Sequence, residues 1–334
     1  MSGKNVIRAS VVQTCSAQYS LPATLDKLDH FTRQAAQEGS QLAVFPEAFI
    51  GGYPKHSLFG ACVGDRSPEG RDEFLRYYNA AIEVPDSDAV KRMEAISQET
   101  GVFLVVGVIE RDLGTLYCTA VFVDPTHGYV AKHRKLVPTA MERIIWGQGD
   151  STTLPVYEGS FTSKGEVHTV KARVSATICW ENYMPLRAFL RPTPSHATHF
   201  HAVRTFYYSQ GTQIYCAPTV DHRPVWQHTM HHIALEGRCF VLSACQYAEE
   251  KDFPDDHAVA DPSARAASNV MIAGGSVIVS PLGKTLAGPL LGKEGVLTAD
   301  LDLDDVPRGK FDLDVTGHYS RPDVFSFKLL KKDE

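Results

Sequence analysis

The chain has 334 residues, 43% hydrophobic and 22% charged, which suits one large α/β domain or two small ones and excludes a disordered or fibrous protein. Its net charge of −6, from 33 Lys and Arg against 39 Asp and Glu, leaves no basic footprint for a nucleic-acid partner. No apolar run reaches the roughly 18 residues of a membrane span, and the N-terminus lacks a signal peptide's apolar core, so a soluble, cytoplasmic protein is expected.

In chain order, Val6–Gln13 reads as a first strand. A helix follows, with Ser20 placed as cap, Pro22 in the first turn, Leu25, Leu28, Phe31 and Ala35 as its apolar stripe, and Gly39 as its stop. Leu42 to Phe45 is a short buried strand ending at Pro46-Glu47, and the loop Gly51-Gly52-Tyr53-Pro54 leads into a charged region. A helix is expected over 86–99 and a strand over 102–109; 116–123 and 129–132 form a hairpin around Asp124-Pro125. After an irregular stretch to Pro155 come strands at 174–178 and 213–217. A helix at 224–236 carries Trp226, Met230 and Ile233 on one face, and strands follow at 239–244, 276–280 and 295–301. This alternation predicts a layered α/β fold with a single domain over 5–315 and a C-terminal tail over 316–334.

Three of these segments share a layout in which a short β-rich run stops at an ionisable residue: Glu47, Lys135 and Cys179. A buried strand delivers its last side chain to the rim of the sheet, where open α/β sheets gather ligand groups. A carboxylate takes a proton, an ammonium holds developing negative charge, and a thiol attacks. That set suits addition to an electron-poor C≡N or C=O carbon. On spacing alone the signal is weak, because one residue of each type at a strand end arises easily by chance.

The surrounding motifs make it specific. Val44-Phe45-Pro46-Glu47-Ala48-Phe49-Ile50-Gly51-Gly52-Tyr53-Pro54, Lys132-His133-Arg134-Lys135-Leu136-Val137-Pro138-Thr139 and Thr177-Ile178-Cys179-Trp180-Glu181-Asn182-Tyr183 resemble, in order, the glutamate, lysine and nucleophile regions of the nitrilase branch of the carbon–nitrogen hydrolase superfamily. Supporting matches extend the resemblance from about Val6 to Phe325, closest to plant and fungal nitrilases. It implies an αββα four-layer sandwich that pairs in a dimer and extends into spirals, hence a homo-oligomer. It also implies a small-molecule nitrile as substrate, with no membrane partner, no metal and no cofactor. By motif position Glu47 is the general base, Lys135 stabilises the intermediate, Cys179 attacks, and Glu142 supports Lys135. Tyr53, Thr139 and Trp180 stand where substrate-binding walls are expected.

Two stretches depart from the family pattern: extra residues around 158–173, and around 187–210 a run that includes Arg191 to His201. The other cysteines read as reduced, with Cys118, Cys216, Cys239 and Cys245 as core. His228, His231 and His232 offer an i, i+4 pair, but without HExxH an exposed helix face is their expected home. Nitrile or cyanide hydration, amide hydrolysis by the same three residues, and an inactive assembly-forming homologue stand as alternatives.

Overall fold

The computed structural model describes residues 4–165, 167–184, 203–257 and 269–324. Its strands are β1 (Val6–Gln13), β2 (Leu42–Val44), β3 (Ala61–Cys62), β4 (Asp65–Arg66), β5 (Phe103–Asp112), β6 (Thr115–Asp124), β7 (Gly128–Arg134), β8 (Tyr157–Thr162), β9 (Thr169–Ala176), β10 (Ile214–Cys216), β11 (Phe240–Ser243), β12 (Tyr247–Glu249), β13 (Val270–Val279), β14 (Thr285–Leu291) and β15 (Gly295–Asp302). The helices are α1 (Leu21–Gln37), α2 (Pro68–Ala80), α3 (Asp88–Thr100), α4 (Val203–Ser209), α5 (Val225–Gly237) and α6 (Asp305–Asp312).

Two large sheets result, one in the order β15-β1-β2-β5-β6-β7 and one in the order β12-β13-β11-β10-β9-β8, with β14 on β13, beside the small β3–β4 hairpin. Each has a parallel centre, β1-β2-β5 in one and β9-β10-β11 in the other, flanked by antiparallel strands. The sheets pack face to face: Val11, Val44 and Val105 of one meet Val174, Cys216 and Leu242 of the other. The opposite face of the first sheet, with Val12, Phe45 and Leu104, is covered by Leu28 and Phe31 of α1 and Met93 and Ile96 of α3. Tyr215 and Val241 of the second lie under Tyr207 of α4 and Trp226 and Met230 of α5. This is the four-layer αββα sandwich expected from the sequence. Strands buried on both faces carry unbroken apolar runs, which is why 42–45 and 102–109 stood out.

Ser20 does occupy the N-cap position of α1, but its side chain makes no capping bond there. The charged region contains α2, capped by Ser67, whose side chain accepts from the Gly70 N–H. Its buried side is Gly70, Glu73, Tyr77 and Ala80, too poor in apolar residues to announce a helix. The residues at 158–173 that looked extra largely form the β8–β9 edge hairpin, paired from Tyr157↔Val174 to Thr162↔Thr169. Those at 185–202, including Arg191 to His201, lie outside the described residues. All seven cysteines are free; six are buried, and Cys62 on the β3–β4 hairpin is exposed. Among the described residues no helix is long and apolar enough to cross a membrane.

Candidate active site

Glu47 sits just beyond β2, held by a sharp local path. Phe45 N–H bonds Val105 O and Ile50 N–H bonds Gly107 O, while Ala48 between them takes the left-handed φ of 51°. The excursion needs Gly107 beneath it, because a Cβ there would lie 2.0 Å from Pro46 O and 2.8 Å from Glu47 Cα. From the second sheet, Gln246 Nε2 donates to Glu47 O at 2.7 Å, tying the two sheets together at this residue.

Lys135 follows β7, its backbone N–H bonded to Cys118 O. Its Nζ donates to Glu47 Oε1 at 2.6 Å and to Glu142 Oε2 at 2.8 Å, and lies 5.5 Å from the Trp146 ring centroid. Glu142 also accepts from Thr139 N–H at 2.6 Å and from Tyr53 Oη at 3.0 Å. Cys179 follows β9 in a left-handed conformation, φ 51°, which a residue with a Cβ adopts only when its surroundings impose it. The imposing bonds are Cys179 N–H to Pro218 O at 2.9 Å and Asn182 Nδ2 to Cys179 O at 2.8 Å. Thr219 Oγ1 donates to Cys179 Sγ at 3.2 Å.

Burial dominates the electrostatics: Glu47, Lys135 and Cys179 are 0%, 1% and 3% exposed. Desolvation pushes Glu47 up to about 7 against the pull of Lys135. Burial also raises Cys179 well above the usual thiol range, and the Glu47 charge adds to this, so the resting sulfur is a thiol. Burial works against the Lys135 ammonium, but Glu47, Cys179 and Glu142 override it and hold it well above the usual range. Glu47 Oε2 is buried without a hydrogen-bond partner among the described residues. The arrangement is therefore a buried carboxylate near its midpoint at neutral pH, a firmly charged ammonium, and a neutral thiol waiting for a base.

Glu47, Lys135, Glu142, Tyr53 and Thr139 thus form one connected network, with Cys179 set against its Glu47 end. Trp180 stands apart from it, 39% exposed, with Nε1 donating to Asp221 Oδ2 at 2.8 Å and the Arg223 guanidinium 4.9 Å from its ring. A cavity of about 310 Å³ adjoins the network and is lined by Tyr53, Lys55, Leu58, Met141, Glu142 and Trp146 among others. That is the lower end of small-ligand pocket sizes. His231 is occupied by Gln227 O and Thr285 Oγ1, while His228 and His232 stand on the exposed helix face, His232 near Glu236 at 3.8 Å.

Sequence reasoning missed four neighbours. Cys118, expected as plain core, also donates its thiol to Glu47 Oε1 at 3.6 Å. Thr219 touches the Cys179 sulfur. Glu181 and His133 form a second buried pair at 2.9 Å, with both side chains fully enclosed. An acidic residue two positions after Cys179 and a histidine two before Lys135 were a readable signal, since buried acids need partners.

The chain matches the carbon–nitrogen hydrolase family over residues 8–191 and 196–310. It is 71% identical to an arylacetonitrilase of Trametes versicolor over 327 residues, 97% of each chain. It is 47% identical to a bifunctional nitrilase/nitrile hydratase of Nicotiana tabacum, covering 97% of this chain and 86% of that one. An aliphatic nitrilase of Sinorhizobium fredii is 48% identical, covering 98% and 96%. In structure the chain is similar to an amidase of Nesterenkonia sp., with a TM-score of 0.61 at 19% identity over 93% of this chain and 97% of that one, which shows a shared fold.

Proposed function

The chain belongs to the carbon–nitrogen hydrolase family, and from that premise we propose that it hydrolyses organic nitriles to carboxylic acids and ammonia. The observation that carries the substrate class is the 71% identity with an arylacetonitrilase across 97% of both chains. The chemistry follows from the open Oε2 of Glu47 beside the Cys179 thiol.

Cys179 Sγ bonds to the nitrile carbon as its proton passes to Glu47 and from Glu47 on to the nitrile nitrogen, giving a thioimidate and restoring the Glu47 carboxylate. A carboxyl group near its midpoint at neutral pH accepts and returns protons with little mismatch to solvent. Glu47 then deprotonates a water, which adds to the thioimidate carbon. Lys135, held charged by Glu47 and Glu142, balances the negative charge of the tetrahedral species. The C–N bond breaks, ammonia leaves, and a thioester remains. A second water displaces the sulfur, releases the acid and restores the thiol. In sum, R–C≡N and two waters give R–COOH and ammonia, with no cofactor. Glu142, oriented by Tyr53 and Thr139, positions Lys135 from the side opposite Glu47. Homo-oligomeric assembly and a cytoplasmic location complete the reading; light scattering of the purified protein tests the first.

A second outcome has specific support. The tobacco relative is a bifunctional nitrilase/nitrile hydratase, and the same tetrahedral species yields an amide if sulfur leaves before nitrogen. Both are tested by supplying phenylacetonitrile and β-cyanoalanine, measuring ammonia, and separating acid from amide. Cys179-dependent ammonia and acid support the nitrilase; amide without ammonia replaces it with a hydratase.

A further inference from the structure

Strands β9 and β10 run parallel in a register that pairs Ala176 with Cys216. Both leave the sheet at the same end, and the offset of 40 residues still holds beyond it, where Cys179 lies beside Thr219. The segment after β10 grips Cys179 twice. Pro218 O accepts the Cys179 N–H at 2.9 Å, and Thr219 Oγ1 donates to Sγ at 3.2 Å. That segment is itself fixed by Ala217 N–H on Leu242 O and Thr219 N–H on Ala244 O, at 2.8 and 2.9 Å. Thr219 is completely buried, and its β-branched side chain has little rotational freedom there.

A hydroxyl has one proton to give, and what its oxygen already accepts decides where that proton points. Thr219 Oγ1 accepts the Asp221 N–H at 2.9 Å. Its own proton is left for Cys179 Sγ, the acceptor it meets among the described residues. The Lys135 ammonium is engaged elsewhere, donating to Glu47 and Glu142. The sulfur therefore receives a hydrogen bond from Thr219 and keeps its own S–H for an acceptor on another side. A neutral thiol gains little from such a donor. A thiolate formed in a site this dry gains far more, because the bond becomes charge-assisted and no water competes for it.

We propose that the Thr219 hydroxyl is a catalytic group that stabilises the Cys179 thiolate, acting twice in each turnover. As Sγ gives its proton to Glu47 and bonds to the nitrile carbon, the Thr219 O–H supports the negative charge passing through sulfur. When the C–S bond of the thioester breaks, sulfur leaves with the electron pair under the same donor and regains a proton from Glu47. The role rests on the nitrilase reading for these steps, but the reactivity of the sulfur is measured without a nitrile. Iodoacetamide alkylates Cys179 by forming an S–C bond, expelling iodide and releasing the thiol proton. Peptide mass spectrometry follows this at neutral pH, with the exposed Cys62 as internal reference. Relative to Cys62, Thr219→Val slows alkylation of Cys179 about tenfold or more, and Thr219→Ser stays within about threefold of the parent. With phenylacetonitrile, Thr219→Val lowers kcat about tenfold and leaves KM within about threefold. Thr219→Ala is the second hydroxyl-free variant, and thermal melts establish that each protein is folded. A folded hydroxyl-free variant that alkylates at the parental rate, or a Thr219→Ser protein as slow as Thr219→Val, overturns the role. Slowed alkylation with no ammonia from phenylacetonitrile in the unaltered enzyme removes the nitrilase reading alone. Ammonia release with alkylation at the parental rate removes the role of Thr219 alone.

Discussion

Two buried acid–base pairs, whose basic members His133 and Lys135 both lie at the end of the β7 segment, differ in how completely they are satisfied. In the pair of Glu181 and His133, Glu181 Oε1 accepts from Leu136 N–H at 2.6 Å, while Oε2 accepts from Ile178 N–H at 2.7 Å and His133 Nε2 at 2.9 Å. His133 Nδ1 donates to Thr153 O at 2.7 Å. Both ring nitrogens face acceptors, and although burial pulls His133 down, Glu181 holds it above the usual range; burial pushes Glu181 up, but His133 and two backbone N–H groups hold it below its own. In the pair of Glu47 and Lys135, one carboxylate oxygen has no hydrogen-bond partner among the described residues, and burial raises Glu47 to about 7. The first pair has no capacity left and acts as a strut between the Lys135 and Cys179 segments. The second keeps capacity in reserve, and a proton can move there.

That contrast can be broken from either side. The largest effect is expected from Cys179→Ala, which removes the covalent route and lowers kcat for ammonia release by on the order of 10⁴ or more, with circular dichroism unchanged. Glu47→Gln lowers kcat by about 10²–10⁴ while leaving the melting transition close to that of the parent. Glu181→Gln has the opposite profile: it strands a buried imidazolium and costs about 3–5 kcal/mol of stability in denaturant titration. Pairing it with His133→Phe recovers much of that loss. If Glu181→Gln melts like the parent, the strut assignment is wrong.

The pH dependence sharpens the same distinction. Glu47 is raised to about 7, so its base form disappears as pH falls through that value, and kcat/KM declines about tenfold per unit below it. A profile flat down to pH 5 removes Glu47 as the base. The smallest effect belongs to Tyr53→Phe, which deletes one hydrogen bond to Glu142, worth about 0.5–1.5 kcal/mol, and lowers kcat by about two- to tenfold.

Much of this was legible in the residues. The doubly buried strands declared themselves as apolar runs, and Glu47, Lys135 and Cys179 followed them or their hairpin. Other elements stayed hidden for physical reasons. In β8 the outward positions are Glu158, Ser160 and Thr162, and the inward ones are the half-buried Tyr157, Gly159 and Phe161, so a glycine interrupts the apolar face and weakens the alternation. The strut was hidden because pairing between His133 and Glu181 spans 48 residues, a distance only the packing of the two sheets closes. Cys118 reads as core from its strand alone, and only the excursion over Gly107 brings Glu47 to it.

The uneven distribution of thiols offers a handle for conjugation. Six cysteines are buried, Cys179 among them as a neutral thiol, whereas Cys62 is solvent-facing on its small hairpin. A bulky maleimide dye applied briefly to the folded enzyme is therefore expected to attach at that one position and spare turnover. Fluorescent reporting or surface immobilisation then needs no introduced cysteine and no deletion of the six enclosed ones.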